Sequence, residues 1–481
     1  MTVFVVIVAV VGVLALLALV HRWLWVRLVR DTTRPGGAAR RAGTVLAFAL
    51  PLLALAALTA GRAGAPFWLE RLVAWPGYMW LAVLLYLTMA MAVAEPVRRL
   101  WLRRLPAPPA PQSPEGLDLV PAVPGGASGA EPQVGAGVEP AVPGGAAAGP
   151  APQSPEGLDP ASGAEPRTSA ESDGASGAEP QLREGAGGGA APQGPAPAPG
   201  APARADATTR RVFVARVVGG AAAVAAAGVV GNGTYGVLRG PRVKRVQVPL
   251  ARLPRAAHGF RIAVVSDVHL GPVLGRAHTR RIVDTVNRTQ PDLIAIVGDL
   301  VDGDVRDLGP AAEPLRELRA RLGSFFVTGN HEYFSGAQQW VDHVRELGLT
   351  PLENARRELP HFDLAGVNDV QGEKEGKGPD FQAALGDRDR ARASVLLAHQ
   401  PIVIDEAVRH GVDLQLSGHT HGGQLWPGEY LAELANPTVA GLERYGDTQL
   451  YVSRGAGAWG PPVRVGAPSD ITVVELASYQ A

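Results

Sequence analysis

The chain has 481 residues, with 45 basic side chains, 45 acidic side chains and no cysteine. Zero net charge argues against a general polyanion binder, so no specific nucleic-acid partner is expected. Without cysteine the chain forms neither disulfides nor thiolate metal sites, and any bound metal must be held by His, Asp or Asn. Apolar residues are concentrated in the first part of the chain, whereas Gly and Pro gather in the middle.

Three apolar runs near the N-terminus are long enough to cross a hydrocarbon core, which needs about 20 apolar residues. They occupy 2–20, 43–61 and 75–95, and they predict a membrane region with three transmembrane helices at 1–104. Buried core helices are the alternative, but three such runs with charged flanks are hard to bury in a soluble domain. A signal peptide is not expected, because no basic segment precedes the first run.

The distribution of arginine between the runs predicts their orientation. The segment 21–42 carries six arginines, whereas 61–74 carries two arginines beside Glu70. Cytoplasmic loops are enriched in Lys and Arg, so the first segment is predicted to be cytoplasmic and the second extracytoplasmic. The segment that begins at Arg98 is then cytoplasmic again.

Residues 105–208 are rich in Pro, Gly and Ala and contain repeats. Ala-Pro-Gln-Ser-Pro-Glu-Gly-Leu-Asp occurs at 110–118 and again at 151–159. The repeats lack the apolar faces that stacked solenoid units would bury, so the segment is predicted to be a disordered linker. A spacer without a more specific function is the interpretation that we favour.

The segment 209–249 is apolar but less strongly so, and two interpretations remain open. It is either a fourth transmembrane segment or, because of the pair Arg210-Arg211, a twin-arginine-like export signal within the chain. Both would carry the following domain outward, which predicts a multi-pass cell-membrane protein with an extracytoplasmic C-terminal domain. The basic residues of 239–245 lie on the far side of this segment and oppose that orientation.

The segment 250–481 alternates short apolar strands with helical patterns, which predicts one α/β domain. Its length is sufficient for a sizeable core. Additional strands are expected at Leu450–Ser453 and Ile471–Leu476. The helical patterns lie at 277–289, 311–321, 337–348 and 402–410.

Polar clusters follow five short apolar runs of this domain. The central one is Gly298-Asp299-Leu300-Val301-Asp302, after the run Leu293–Val297. Open α/β sheets place their ligands at the carboxyl ends of strands, so Asp299 is the candidate centre of a site. The other clusters are Ser266-Asp267-Val268-His269, Gly329-Asn330-His331-Glu332, His399 and Ser417-Gly418-His419-Thr420-His421.

The residue types in these clusters suit a site for two divalent ions. Asp267 and His269 are two apart, so an extended strand presents them on the same face. The Asp299 carboxylate is able to bridge two cations about 3.5 to 4 Å apart, the separation that clamps a phosphoryl displacement. Each cluster alone is also typical of helix caps, turns or hydrogen-bonded histidines, and their order after five strands favours the metal site. Glycines before three ligands are expected to form tight turns beneath the ions: Gly298, Gly329 and Gly418.

The motifs D-x-H, G-D-x-x-D, G-N-H-E, a single His and G-H-x-H, in this order, resemble those of the calcineurin-like metallophosphoesterase superfamily. Their context, such as Leu-Ser-Gly-His-Thr-His-Gly-Gly-Gln, is similar to the membrane-associated bacterial branch of that superfamily. The resemblance covers roughly 255–478. It implies a four-layer α/β/β/α sandwich with the site at the strand ends.

The resemblance also implies roles for individual residues. Asp299 would bridge the two ions, and His331, oriented by Asp302, would act as general acid or transition-state donor. Mn, Fe, Zn, Co and Ni all remain open as the ions. Pro468-Ser469-Asp470 differs from the expected Pro-Glu, which weakens expectations about the pocket rim. The other ligands would be Asp267, His269 and His421 on one ion and Asn330, His399 and His419 on the other.

The sequence therefore predicts a membrane-anchored phosphoesterase that hydrolyses a phosphodiester, phosphomonoester or pyrophosphate bond through a metal-bridged hydroxide. One alternative is a hydrolase of lipid-linked phosphate or pyrophosphate, similar to UDP-2,3-diacylglucosamine hydrolases, although a cytoplasmic nucleotide sugar would not meet an outward-facing domain. The other is a catalytically silent metal or lipid sensor. The predicted loops 303–310, 371–390 and 427–448 carry no readable code for the substrate, and the oligomeric state stays open.

Overall fold

The computed structural model describes residues 2–104 and 202–479. Most of the linker predicted at 105–208 therefore lies outside the described residues, and its last part belongs to a helix that begins at Pro202. The described residues comprise apolar helices followed by an α/β domain with two sheets. The α/β domain is C-terminal, as predicted.

Four helices are long and apolar enough to cross a membrane. They are α1 Thr2–Trp25, α2 Ala38–Thr59, α3 Phe67–Arg104 and α4 Pro202–Leu238. The first three contain the apolar runs of the N-terminal region. Helix α3 has 38 residues, and at 1.5 Å per residue it is about 57 Å long, which exceeds one hydrocarbon core.

Helix α3 packs against α2 and against α4. Gly77 allows the close approach to α2, because a Cβ atom there would lie 2.4 Å from the carbonyl oxygen of Leu53. Small residues at such contacts are typical of helices that associate in membranes. Near the other end of α3, Glu95 forms an ion pair with Arg27 at 2.9 Å.

The strands of the α/β domain form two sheets of six. They are β1 Arg242–Leu250, β2 Phe260–Val265, β3 Leu293–Val297, β4 Ser324–Val327, β5 Thr350–Pro351, β6 Ala355–Glu358, β7 Phe362–Gly366, β8 Ala393–Leu397, β9 Leu414–Ser417, β10 Gly441–Tyr445, β11 Thr448–Val452 and β12 Asp470–Ser478. The first sheet has the order β1-β12-β2-β3-β4-β5, and only the pair β12 and β2 is antiparallel. The second has the order β10-β11-β9-β8-β7-β6, with antiparallel pairs at both edges.

The α/β domain begins earlier in the chain than predicted, at strand β1. This strand pairs in parallel with β12 along its whole length, from Arg242 opposite Asp470 to Leu250 opposite Ser478. The boundary at 250 is therefore corrected, because 242–250 belongs to the sheet rather than to the apolar segment predicted at 209–249. Helix α4 ends only a few residues earlier, at Leu238.

Apolar side chains fill three layers of the domain and confirm the α/β/β/α sandwich. Alternate residues of β2 show the division: Val264 faces the second sheet, in a cluster with Leu364 and Leu397, whereas Val265 faces the helices, in a cluster with Ile282 and Trp340. A third cluster joins the outer face of the second sheet to α9 and α10. The helices of the domain are α5 Arg276–Arg288, α6 Val305–Ala312, α7 Asn330–Ser335, α8 Ala337–Glu346, α9 Phe381–Leu385, α10 Ile404–Arg409 and α11 Glu429–Glu433.

Three predictions about local structure are wrong. The helical pattern expected at 311–321 is displaced, because α6 begins at 305 after Asp304 caps it by accepting from the Asp307 amide, and a short 3-10 segment containing Pro314 follows. The loop expected at 303–310 is accordingly mostly helical. The loop expected at 427–448 contains α11 and β10.

The apolar helices contact the domain directly. The hydroxyl of Tyr86 in α3 donates to the carbonyl oxygen of Trp426 at 3.0 Å, and Val463 is buried in the apolar cluster formed by α3 and α4. Gly233 of α4 lies against the segment 463–465, where a Cβ atom would be 2.7 Å from Val463 Cγ1 and 2.8 Å from Arg464 O. Helices α3 and α4 and the loops that carry Trp426 and Val463 therefore form one packed contact.

Candidate metal centre

Strands from both sheets end at one site. Each of β2, β3, β4, β8 and β9 leads directly into one of the polar clusters. His419 Nδ1 lies 3.0 Å from Asn330 Oδ1, and His399 Nε2 lies 3.1 Å from Asp299 Oδ2. The structure thus brings together the seven residues predicted to bind metal: Asp267, His269, Asp299, Asn330, His399, His419 and His421.

Asp299 lies between two groups of side chains. Ligand atoms within 4.8 Å of one another form the groups Asp267, His269 and His421, and Asp299, His399 and His419. A third group, His269, Asp299 and His331, overlaps both of them. Asp299 Oδ2 is 3.7 Å from His269 Nε2 in the first group and 3.1 Å from His399 Nε2 in the second. A carboxylate that faces two ligand groups is the arrangement expected of a bridging ligand.

The hydrogen bonds of two histidines leave one ring nitrogen of each available to an ion. His269 Nδ1 is 2.8 Å from Asp302 Oδ1, and His399 Nδ1 is 2.9 Å from the carbonyl oxygen of Val297. These oxygens accept, so each Nδ1 carries the proton and each Nε2 is free to bind a cation. Buried His399 Nε2 has no hydrogen bond within the described residues, although Asp299 Oδ2 lies 3.1 Å away. A divalent ion beside Asp299 fits this donor set.

The ionisable groups of the site shift one another's pKa. Burial raises the pKa of Asp267, although the nearby His399 imidazole opposes the shift. Burial also lowers the pKa of His419 to about 4, with His399 adding to the effect, which favours the neutral imidazole that binds metals. Burial opposes the charged form of His269, but the Asp302 carboxylate outweighs it and raises the pKa of His269 to about 9. The buried carboxylates therefore attract positive charge, which divalent ions would supply.

The backbone is left-handed at five of the seven predicted ligands. The φ angles are +52° at Asp267, +49° at His269, +53° at Asp299, +74° at His419 and +54° at His421. Such a conformation costs a residue other than Gly about 1 to 3 kcal/mol, and it persists only where the surrounding structure enforces it. These five residues belong to one site, so the strained backbone is concentrated at the predicted metal ligands.

Glycines next to the ligands allow neighbouring side chains to approach the backbone closely. Of the three glycines considered, Gly298 has a positive φ angle, +74°. Gly329 is extended, and a Cβ atom there would lie 2.3 Å from Asp299 Oδ1; at Gly418 it would lie 1.7 Å from Ser266 Oγ. Gly329 and Gly418 do not have a positive φ angle, and their missing side chains leave room for carboxylate and hydroxyl groups.

Glu332 is a buried carboxylate whose role the sequence did not reveal. It accepts hydrogen bonds from the backbone N–H groups of Gly329 at 2.6 Å, Leu300 at 2.8 Å and Asp299 at 3.0 Å. It thereby joins the end of β3 to the start of α7. The signal was present in the Gly-Asn-His-Glu motif, where a Glu three residues after the helix cap commonly accepts from the backbone.

Arg464 is a second buried residue that the sequence did not reveal. Its guanidinium donates to the carbonyl oxygen of His421 at 3.0 Å and lies 3.1 Å from His421 Nδ1. Since a guanidinium only donates, Nδ1 accepts, and a neutral His421 carries its proton on Nε2, 3.0 Å from His269 Nε2. Binding an ion through His421 Nε2 would therefore require the ring proton to shift to Nδ1 and the Arg464 contact at that nitrogen to change. No motif marks Arg464, because His421 lies 43 positions away in the sequence.

His331 lies at the open side of the site. Its Nδ1 is 2.6 Å from Asp302 Oδ1, the same oxygen that holds His269. Its ring makes edge contacts with Phe334 and Trp459, which are 60% and 52% exposed. Asp267, Asp299 and His399 are buried, whereas His331 and these aromatic rings are accessible to solvent.

Comparison with known proteins shows the family. Residues 260–423 match the model of the calcineurin-like phosphoesterases. A zebrafish (Danio rerio) transmembrane protein with metallophosphoesterase domain is 39% identical over 250 residues, which cover 49% of this chain and 57% of that protein. Metallophosphoesterases of Aquifex aeolicus and Bacillus subtilis are 35% and 30% identical, and the matches cover 49% and 56% of this chain and 91% and 98% of those proteins. The chain thus spans little more than half the length of the zebrafish relative, and it belongs to the calcineurin-like phosphoesterase family.

Proposed function

We propose that this chain is a membrane-anchored phosphoesterase with a centre for two divalent metal ions. The observation that carries the proposal is the position of the Asp299 carboxylate between two groups of His and Asp side chains. Family membership supports hydrolysis of a phosphoester bond, and the four apolar helices support the anchor.

The ligands divide between the two ions as the geometry of the groups suggests. Asp267, His269 and His421 would bind one ion, Asn330, His399 and His419 the other, and Asp299 both. Ions bound there would supply Lewis acidity, which activates water near neutral pH and neutralises charge on the phosphoryl group. Imidazole, carboxylate and amide ligands suit Mn, Fe, Zn, Co and Ni alike.

His331 is proposed to protonate the leaving oxygen. Asp302 accepts from its Nδ1, which fixes the ring and leaves Nε2 as the nitrogen that faces a substrate. A positioned acid of this kind contributes about 10²- to 10⁴-fold to the rate. Asp302 also holds His269, so it serves as a positioning residue for the acid and for one metal ligand.

A lipid-linked phosphoester is the substrate class favoured by the rim of the site. Phe334 and Trp459 are large, exposed aromatic residues beside His331. Trp426, 44% exposed, lies two residues after Gln424, whose side chain donates to the carbonyl oxygen of Trp459, and its own carbonyl oxygen accepts from Tyr86 of an apolar helix. A substrate that carries an acyl or prenyl chain would find apolar surface beside its phosphate.

The C-terminal domain is proposed to be extracytoplasmic. The six arginines of 21–42 favour a cytoplasmic position for that segment, and four alternating crossings then place the domain outside. Arg239, Arg242 and Arg245 follow the fourth helix and act against this orientation, but long domains cross a membrane largely regardless of charge.

The test uses the purified full chain in detergent with bis(p-nitrophenyl) phosphate as a chromogenic diester. We expect turnover that requires one of the five candidate metal ions and disappears with a chelator. A monoester, a pyrophosphate and a lipid phosphoester in mixed micelles, assayed in parallel, decide the substrate class. Absence of turnover on all four substrates by metal-loaded protein would overturn the enzymatic proposal in favour of a metal or lipid sensor.

A further inference from the structure

A cavity of about 380 Å³ lies between the end of α4 and the segment 464–469 of the α/β domain. None of the seven predicted metal ligands lines it. Its walls include Tyr235 and Arg239 from the helix side and Arg242 from the start of β1. The cavity is therefore distinct from the ligand cluster, although Arg464, which contacts His421, lines it, and it lies where the apolar helix enters the domain.

The cavity presents two arginines without anionic partners. Both Arg239 and Arg242 are exposed, and the ion pairs within 2–104 and 202–479 involve neither of them. The Arg239 guanidinium lies 5.9 Å from the centre of the Tyr235 ring, a contact that leaves its N–H donors available. Two guanidinium groups that line one cavity are well suited to bind phosphate oxygens, which they contact through paired N–H donors.

The lining of the cavity changes from apolar to basic along one face of α4. Positions 229, 232, 236 and 239 are spaced three, four and three residues apart, so they lie on one face of the helix. The cavity begins at exposed Val229 and ends at Arg239, about 15 Å further along the helix at 1.5 Å per residue. Tyr235 lies between them, one turn before Arg239, and tyrosine is enriched at the boundary between hydrocarbon and head groups.

We propose that this cavity binds the phosphate of an anionic phospholipid, with Arg239 and Arg242 on the head group and the chains along Val229 and Tyr235. Both a lipid and a free phosphate offer the same anion, but only a lipid uses the apolar end of the cavity. The proposal rests on the proposed membrane span of α4 and not on hydrolysis at the metal centre. It assigns the basic residues after α4 to lipid binding, which is a property of basic pockets at membrane surfaces.

The experiment measures retention of phosphatidylglycerol and phosphatidylcholine by the purified full chain, using native mass spectrometry after exchange into detergent. The wild type is expected to keep phosphatidylglycerol in preference to phosphatidylcholine. The Arg239→Ala/Arg242→Ala variant should bind it about 30-fold more weakly, which corresponds to about 2 kcal/mol. The matched control is Arg245→Ala/Arg255→Ala, which removes two exposed arginines outside the cavity and should keep the lipid.

Three outcomes would overturn the proposal: equal retention by the wild type and the cavity variant, an equal loss in the control variant, or displacement of the lipid by an equal concentration of soluble glycerol phosphate. The last identifies a site for free anions. Metal content and diester turnover, measured on the same samples, show whether each variant is folded. If the double variant has lost its metal, Arg239→Gln alone replaces it under the same criteria.

Discussion

Asp299 faces both ligand groups, so its loss affects them together. We expect Asp299→Asn to reduce the metal content of the purified chain from two equivalents to near zero, because a neutral amide bridges two cations poorly. Elemental analysis measures this. Asp284→Asn, at an exposed position of α5, is the control and should keep both equivalents. Two retained equivalents in Asp299→Asn would show that the carboxylate is not shared.

The backbone N–H of His331 donates to Asp299 Oδ1 at 2.9 Å, and its ring makes an edge contact with His269. Truncating the side chain leaves the backbone contact in place, so His331→Ala should separate catalysis from metal binding. His331→Ala is expected to retain metal and to lose about 10²- to 10⁴-fold in turnover of esters with poor leaving groups. The loss should be smaller for nitrophenyl esters, whose leaving oxygen needs little protonation. A leaving-group series measures the difference, with His361→Ala as control. Losses of the same size across the series would exclude the role of His331 as the acid.

The ligands at the ends of strands could be predicted from the sequence, whereas residues that hold those ligands in place, such as Arg464, could not. Asp267, Asp299 and His399 each follow an apolar run, so their position at a sheet edge is a local property of the chain. Arg464 acts on His421 across 43 positions, and such a contact exists only once the sheets have formed. The left-handed backbone of the ligands could not be predicted either, because a positive φ angle is uncommon even for Asp and His, which adopt it more often than other residues with a side chain.

At the scale of elements, α4 is coupled to the metal centre through the segment 463–465. Gly233 of the helix contacts Val463 and the backbone of Arg464, and Arg464 holds His421. We expect Gly233→Ala to push this segment away and to weaken metal binding, because its Cβ atom would lie 2.7 Å from Val463 Cγ1. A chelator titration of metal retention measures the effect.

Gly231→Ala is the matched control, since a Cβ atom there meets nothing within 4 Å. Both substitutions raise helix propensity by about 1 kcal/mol, so the comparison isolates the contact. Equal metal retention by the two variants would show that the helix does not act on His421 through this segment.

Central strands were predictable, whereas edge strands were not. β2, β3 and β8 are almost entirely buried, and their segments 262–265, 293–297 and 395–397 are continuous apolar runs that the sequence shows directly. β1 and β6 carry several arginines, because one side of an edge strand meets solvent. Because of these charged residues, the sequence pattern did not indicate strands there. The predicted start of the domain, residue 250, was consequently too late in the chain.

At the scale of the whole molecule, the orientation of the domain is the prediction with the widest consequence. Protease added to intact cells or protoplasts, with any outer membrane opened, is expected to digest an epitope near 470 and to spare one near 150. The arginine distribution between the first helices is the reason. Digestion of both epitopes after detergent lysis is the control. Protection of the epitope near 470 would reverse the orientation and restore a cytoplasmic nucleotide-linked substrate.

The place of β12 between β1 and β2 has a consequence for synthesis of the protein. β1 directly follows α4, yet its neighbour in the sheet is β12, the last strand of the described chain. Arg242 therefore cannot pair with Asp470 until residue 470 has been synthesised. Pairings so distant in sequence form late. A nascent chain stalled before 470 would carry its membrane helices and a domain whose β1 and β2 have open edges, a form prone to aggregation. Deleting β12 should therefore lower the abundance of the protein, although this strand carries none of the predicted metal ligands.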